Sequence, residues 1–320
     1  MQKIKWGIIG PGSIANAFAH SIKHSQNSEL TGVFGRTKAK TNNFAQLFNI
    51  QSFGSLQDFL SSKDIDAVYV ATPHSDHFLY SLEAIKHHKH VLCEKPLTMN
   101  AHESMILLDL AHSLKVFLME AYMYRVHPQT LNILNHLSLL DESNEKILIE
   151  GSFGFKAEVS SDHRLRDPLL GGGAILDVGC YPLSMCKLIA GHLQDLPFAE
   201  PKSISAAGRL DKTGVDLQSD AHLIFSDQIE AKISCAIDEQ LPNKLVISNS
   251  DITIAVSDPW HCGQFHEGKS SIFVNHVSGS IEEISFDDQV GLFTREIEHA
   301  SSCILNHKIE SDFISHGDTQ

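Results

Sequence analysis

Short, continuous apolar runs recur through the first 120 residues, separated by stretches whose apolar positions fall three and four apart. The runs at 4–9, 30–34, 66–71, 91–93 and 116–119, with a shorter one at 51–53, read as strands. Consecutive rather than alternating apolar residues mark strands buried on both faces. The intervening stretches predict helices from 13 to 22, around 41–48, at 56–60, up to residue 85 and from about 101 to 113. Regular alternation of strand and helix predicts a parallel sheet wound with helices on both faces.

The pattern changes after Pro128. A helix is expected to about residue 140, ended by the polar stretch Asp141-Glu142-Ser143-Asn144-Glu145. From 147 to 155 the chain alternates, with Ile147, Ile149, Phe153 and Phe155 on one side, the period of a half-buried strand. Further strands are expected at 203–209, 217–225, 229–237, 244–248, 252–256, 271–275 and 280–284, and a helix at 296–305. In the 229–237 run, Ile229, Ala231, Ile233, Cys235 and Ile237 share one face. Glu230, Lys232 and Ser234 share the other, which faces water or a subunit interface. The segment Trp260-His261-Cys262-Gly263 reads only as a loop.

Length and composition narrow the class. A chain of 320 residues suggests roughly two domains, and 42% hydrophobic residues can supply packed cores. The net charge of −14, with no basic tail, argues against a nucleic-acid partner. No continuous apolar run approaches the roughly 20 residues of a membrane helix, and the first residues lead directly into a strand rather than a leader's apolar region. The six scattered cysteines form no C-x-x-C, so zinc and a disulfide framework are poor readings and a reducing cytoplasm is expected.

The chemistry-bearing residues stand where strands end. Val91-Leu92-Cys93 is followed by Glu94-Lys95-Pro96. Proline cannot continue a central strand, so the chain turns out with the charged pair at the sheet's carboxyl edge, where open α/β sheets bind ligands. A surface ion pair beside a loop proline is an equal alternative on these residues alone. Gly10-Pro11-Gly12-Ser13-Ile14-Ala15 lies between the first strand and the first helix. This is G-x-G-x-x-A in the setting that cradles a dinucleotide: a tight turn, close backbone approach to the pyrophosphate and a small residue for helix–strand packing. The N–H groups at the helix start then face the phosphates. The second strand ends in Gly35-Arg36, with Lys38 and Lys40 close by, where an NAD site usually carries Asp or Glu for the ribose. A guanidinium and lysines suit a 2′-phosphate, so NADP is expected over NAD; a solvated turn would carry the same residues. Thr72-Pro73-His74 and His77 form another polar loop at a strand end, with His74 and His77 facing either the nicotinamide or solvent, and with Asp76 able to cap the next helix. Downstream, the charged loop at 160–167 precedes Gly171-Gly172-Gly173, then Asp177 and Tyr181 four residues apart. On a helix that spacing shares a face. By themselves these residues describe a helix start with a capping acid and a half-buried aromatic slightly better than a site.

Together, Gly10–Ala15, Ala71-Thr72-Pro73-His74 with His77, Glu94-Lys95-Pro96, the run from Glu120 to Pro128, and Gly171–Tyr181 make the chain similar to one family. It resembles the glucose–fructose oxidoreductase, inositol dehydrogenase and dimeric dihydrodiol dehydrogenase (Gfo/Idh/MocA) family, and within it the dihydrodiol dehydrogenase branch. The resemblance runs from residue 7 to about 182; beyond Tyr181 only the general pattern matches. It implies an α/β chain with an N-terminal Rossmann domain, 1–122, and a C-terminal α/β domain, 123–320, built on a large, open, mainly antiparallel sheet. It implies contact of Lys95 with cofactor and substrate, a cis Lys95–Pro96 bond, and cofactor contacts from Gly10, Gly12, Ser13, Ile14, Ala15, Arg36, Lys40, Thr72, Pro73, His74, His77, Glu94 and Arg125. Association into a homodimer or higher oligomer through the C-terminal sheet is implied as well. Family members continue into a final helix after the equivalent of Ser315-His316, and that helix is expected to be missing here or to lie outside this sequence.

The implied reaction is reversible hydride transfer between a nicotinamide and the hydroxyl or carbonyl carbon of a sugar, polyol or cyclic diol. Tyr181 is the expected acid and base, Lys95 its cationic neighbour and Asp177 the residue that orients substrate or lysine. A free tyrosine titrates near pH ~10, and an adjacent ammonium favours the phenolate. Two other functions fit the same fold: a glycosidase using bound NAD for transient oxidation, and a non-catalytic dinucleotide-binding regulator. The joint presence of Lys95, Asp177 and Tyr181 argues against the regulator.

Overall fold

The structure, a computed structural model, describes residues 2–141 and 145–320. The chain divides into two compact units, one running to Met123 and completed by Val290–Gln320, the other spanning Tyr124–Gln289. The boundary expected after residue 122 falls beside the first crossing. The tail, expected to stay with the C-terminal domain, instead packs with the first unit.

The first unit carries β1 (Ile4–Ile9), α1 (Ser13–Ser21), β2 (Ser28–Phe34), α2 (Lys38–Phe48), β3 (Gln51–Phe53), α3 (Leu56–Ser61), β4 (Ala67–Val70), α4 (His74–Lys86), β5 (His90–Glu94), α5 (Ala101–Leu114) and β6 (Leu118–Ala121). Its six strands lie in the order β3-β2-β1-β4-β5-β6, all parallel. The order reverses between β1 and β4, and the crevice at the carboxyl ends of such strands is where doubly wound sheets bind ligands. Every residue of β4 is buried, which accounts for its unbroken apolar run. Asp76 does not cap α4: the helix begins at His74 with Pro73 at its N-cap, leaving Asp76 in the first turn.

The second unit begins with α6 (Pro128–His136) and α7 (Ser138–Asp141), two helices where one was expected. The break expected at 141–145 centres on residues 142–144, which lie outside the described residues. There follow β7 (Ile147–Gly154), α8 (Cys180–His192), β8 (Ser203–Leu210), β9 (Asp216–Ile224), β10 (Ile229–Ala236), β11 (Lys244–Ser248), β12 (Ile252–Val256), β13 (Lys269–His276) and β14 (Ile281–Asp287). They form one eight-stranded sheet, β14-β13-β12-β11-β7-β10-β9-β8, antiparallel except where β7 meets β10. Helix α8 packs on β7 and β10. The edge strand β8 is exposed along its whole length. By length and composition, Pro168–His192 is the one described segment able to cross a membrane, yet most of it is buried inside this unit.

The chain then returns to the first unit through α9 (Leu292–Leu305) and α10 (His316–Thr319). Helix α9 is longer at its start than its pattern suggested. It is fastened by the Trp6 indole N–H donating to Ser301 Oγ (2.9 Å) and Thr294 Oγ1 donating to the Ser21 carbonyl (3.1 Å). After Ser315, where the family's final helix was expected to be missing, His316–Thr319 forms a single helical turn, its N-cap Ser315 accepting the Asp318 N–H.

Candidate active site

In the first unit the site is built at the carboxyl edge of the parallel sheet. Gly10 leaves β1 at φ +97°, and a Cβ there would stand 2.7 Å from the Ala71 carbonyl oxygen. Only glycine permits both the dihedral and the approach. Gly12 is the N-cap of α1 and supplies no side-chain cap, the first turn carries no acid, and a Cβ on Gly12 would meet no atom within 4 Å. The N–H groups of Ser13, Ile14 and Ala15 therefore open into a cradle suited to an anion. Ala15 itself is fully buried, the small contact that lets α1 lie close to the sheet. Beside the Gly10 turn, Thr72 Oγ1 is buried and has no hydrogen-bond partner among the described residues. These features fit a dinucleotide pyrophosphate.

Gly35 and Arg36 follow β2. A Cβ at Gly35 would lie 2.5 Å from Cδ of Pro11 and 2.9 Å from Thr41 Oγ1, so this position cannot carry the aspartate or glutamate of an NAD-type ribose contact. Arg36 is 67% exposed, its Nη2 lying 3.2 Å from Asp76 Oδ2. Lys40, in α2, is also exposed.

The loop after β5 is held on several sides. The Lys95–Pro96 peptide is cis, as the resemblance implied. The Leu97 N–H donates to Glu120 Oε1 (2.9 Å), and burial pushes the Glu120 carboxyl up to about 7. His77 is fully buried, with Nδ1 2.8 Å from the Pro96 carbonyl and Nε2 2.9 Å from the Thr72 carbonyl. Expected as a cofactor contact, it instead ties the Thr72 loop to the Lys95 loop. Both ring nitrogens are committed to backbone oxygens, and burial holds the imidazole below its usual pKa. His74 is buried beside it, ring to ring at 5.7 Å. Glu94 accepts a short hydrogen bond from the Tyr69 hydroxyl, a partner its sequence neighbours do not reveal. Burial raises the Glu94 carboxyl while the Lys95 ammonium opposes the rise.

Glu296 completes this group. It lies on the buried stripe of α9 with Leu292, Phe293, Ile297 and Ala300, fully buried, and neither carboxyl oxygen has a hydrogen-bond partner among the described residues. Burial and the charge of Glu94 raise its pKa well above the ordinary value. An acid on an apolar stripe was the signal in the sequence, and it was missed. Because the folded pKa is raised, stability is fully present below the ordinary glutamate range, near pH ~4.3, and falls as pH climbs from there through the folded value. Glu296→Gln abolishes that titration. Its stability advantage over the wild type should therefore widen by about 1.4 kcal/mol per pH unit across the window. Melting temperatures of the two proteins at pH 5, 6 and 7 check this; a constant difference would mean Glu296 is ionised in the fold.

The second unit carries Asp177 and Tyr181. Asp177 lies in a π-helical turn, Ile175–Gly179, that runs into α8, so the expected single helical face is a junction of two geometries. π-Turns inside helices are frequent at functional sites. Asp177 is 5% exposed and accepts a hydrogen bond from Arg164 Nη1 at 2.9 Å. Tyr181, 7% exposed, sits in an aromatic cluster. Its ring centroid is 5.2 Å from Phe153, 5.7 Å from Tyr124 and 6.3 Å from Trp260, and the Tyr124 hydroxyl donates to the Tyr181 carbonyl (3.1 Å). The 260–263 segment, uninterpretable in sequence, thus walls Tyr181. Trp260 is fully buried, its Nε1 donating to the Ser152 carbonyl (2.9 Å). Arg125, expected at the cofactor, is 2% exposed and donates from Nη1 to Ser184 Oγ (2.7 Å).

Known proteins resemble this chain in sequence and fold. Residues 4–122 match the model of an oxidoreductase family with an NAD-binding Rossmann fold, and residues 145–255 match the GFO/IDH/MocA C-terminal domain. The chain is 32% identical to trans-1,2-dihydrobenzene-1,2-diol dehydrogenase of Xenopus tropicalis, over 99% of this chain and 94% of that one. The chain belongs to the GFO/IDH/MocA family. As such it is an NAD(P)-dependent oxidoreductase. A D-xylose 1-dehydrogenase (NADP(+)) of Hypocrea jecorina is 30% identical over 67% of this chain and 60% of its own length. Among solved structures, a 3-ketoreductase from Actinomadura kijaniata, in complex with NADP and TDP-benzene, shares the fold. Its TM-score is 0.86 at 21% identity, covering 99% of this chain and 94% of that one.

Proposed function

We propose that this family member transfers a hydride between NADP(H) and the hydroxyl or carbonyl carbon of a sugar, polyol or cyclic diol. The observation that carries the reading is the uncapped start of α1, opening into empty space beside Gly12 at the carboxyl edge of the parallel sheet. The nicotinamide, when bound, supplies or receives the hydride. The chain's own residues do the rest. Backbone N–H groups of 13–15 hold the pyrophosphate, and Thr72 Oγ1 offers a buried hydroxyl beside it. Arg36 and Lys40 receive a 2′-phosphate, since Gly35 leaves no room for a ribose-binding carboxylate. Glu94, fixed by Tyr69, holds Lys95. Tyr181 gives a proton to the carbonyl oxygen in reduction and takes it back in oxidation, Lys95 favours its phenolate, and Asp177 orients the substrate hydroxyl.

Two further readings belong to this proposal. Copies associate through the open sheet of the second unit, supported by the bare edge strand β8, where Ile204 and Leu210 are 62% and 67% exposed; a monomer in sedimentation at micromolar concentration would overturn that. The protein works in a reducing cytoplasm, supported by six free cysteines; recovery from a non-cytoplasmic fraction would count against it.

The deciding experiment follows reduced-nicotinamide absorbance with NADP⁺ and NAD⁺ separately, against trans-dihydrobenzenediol, D-xylose, inositols and cyclic ketones in both directions. A signal with NADP(H) and one substrate class is expected. Tighter binding of NADH than NADPH would overturn the phosphate assignment. Release of sugar from a glycoside without cofactor consumption would replace the dehydrogenase by the glycosidase.

A further inference from the structure

An NAD site usually takes its ribose carboxylate from the end of the second strand, and the crowding of Gly35 against Pro11 and Thr41 excludes one there. A carboxylate is nevertheless present beside Arg36, delivered from another element. Asp76 lies in the first turn of α4, with Oδ2 3.2 Å from Arg36 Nη2. Its backbone is well fixed: the Asp76 N–H donates to the Pro73 carbonyl at 2.9 Å, and the next residue, His77, is bound through both ring nitrogens. Asp76 Oδ2 is buried yet has no hydrogen-bond partner among the described residues, so it meets Arg36 as an ion pair and its acceptor capacity is unspent. The Asp76 side chain is 21% exposed and that of Arg36 67%, so the two charges reach the surface of the first unit at one point. Tyr80, one turn further along α4, feels both: burial raises its phenol's pKa, the Asp76 charge adds to the rise and the Arg36 charge opposes it.

The two nicotinamide dinucleotides differ only at the ribose 2′ position, a hydroxyl in one and a phosphate in the other. A hydroxyl can donate a hydrogen bond, and an ionised carboxylate can only accept one. A phosphate monoester carries a charge of roughly −1.5 to −2 near neutrality, so it is attracted by a guanidinium and repelled by a carboxylate. The Arg36–Asp76 pair therefore offers a partner to each coenzyme, and Asp76 acts on the two with opposite sign. We propose that Asp76 is a specificity-determining residue, its carboxylate accepting the 2′-hydroxyl of NAD(H) and opposing the 2′-phosphate of NADP(H), so that the protein binds both coenzymes with NADP(H) ahead. The proposal rests on the reading above that Arg36 marks the 2′ position.

The test measures dissociation constants of NADPH and NADH by fluorescence titration for the wild type, Asp76→Asn, Asp76→Ala and Arg36→Met. Asp76→Asn keeps the shape and removes the charge. It should tighten NADPH and weaken NADH, widening the preference for NADPH by about tenfold. Asp76→Ala, which also removes the acceptor, should deepen the loss of NADH and keep the gain in NADPH. The NADPH gain is electrostatic at a surface position, so it should shrink between about 0.05 M and about 0.5 M salt, a readout that a merely structural role would not move. Equal changes for both coenzymes, a preference within about twofold of the wild type, or an NADPH gain indifferent to salt would overturn the assignment of Asp76. Arg36→Met separates this from the underlying reading, because it should weaken NADPH at least about tenfold. If that loss appears while Asp76→Asn changes nothing, Asp76 alone is overturned. If Arg36→Met leaves NADPH unchanged, the phosphate assignment falls and the role of Asp76 with it.

Discussion

Replacing Tyr181 by Phe is expected to lower kcat by roughly 10²- to 10⁴-fold, the usual contribution of a positioned acid–base group, while NADPH affinity stays within about twofold. The substitution keeps the ring in place. The ring keeps its contacts with Phe153, Tyr124 and Trp260, and the Tyr124 hydroxyl keeps its acceptor, which is the Tyr181 backbone carbonyl rather than the phenol. Only the hydroxyl is lost, so stability and cofactor binding serve as internal controls. A fall confined to turnover, equal in kcat and kcat/KM, identifies an interaction made in the transition state. Turnover within about threefold of the wild type would remove Tyr181 from the chemistry.

The second large effect is expected at the first glycine of the dinucleotide turn, and its contrast with the second glycine makes it diagnostic. At Gly10 a methyl group would have to exist at φ +97°, 2.7 Å from the Ala71 carbonyl oxygen and 2.9 Å from Thr72 Cγ2. Ala71 cannot move aside easily, because its N–H is bonded to the Ile9 carbonyl at 2.9 Å. Gly10→Ala should therefore destabilise the fold by about 1–3 kcal/mol and weaken NADPH binding at least about tenfold. At Gly12 the backbone is extended, with φ −100°, and a methyl group meets nothing within 4 Å. Gly12→Ala should leave the melting temperature unchanged, yet weaken NADPH as strongly, because the methyl occupies the space the pyrophosphate needs. Melting curves and NADPH fluorescence titrations separate the two effects. Unchanged NADPH affinity in Gly12→Ala would show that the open space beside α1 is not the phosphate site.

Much of this architecture was legible in the sequence, and the misses share a cause. The strands of both sheets lie within a few residues of where the apolar pattern put them, and the turn at Gly10 was readable because its glycines sit between a strand and a helix. Asp76 was misplaced as a cap because Ser, Asp and proline all stand near the start of α4, and only the backbone decides that Pro73 occupies the N-cap. His77 passed for a free polar side chain; its two carbonyl partners come from loops separated by 24 residues, Thr72 and Pro96. Trp260 was unreadable because its meaning lies in Ser152 and Tyr181, far away in the chain. Glu296 is the miss that the pattern did announce, as a carboxyl on an otherwise apolar helical stripe.

The mainly antiparallel character of the second sheet was only what the family resemblance implied; the sequence by itself determined most of the strands and helices, the parallel sheet and the dinucleotide turn. These depend on the spacing of apolar residues and on the backbone freedom of a few glycines, both local properties of the chain. The tertiary structure alone decided that the tail rejoins the first unit, that Arg164 sits on Asp177, that an aromatic wall surrounds Tyr181 and that the charge of Glu94 raises the pKa of the buried Glu296. Each of these joins residues brought together by packing across 13 to more than 200 positions of sequence, where local periodicity carries no information about which side chains will meet.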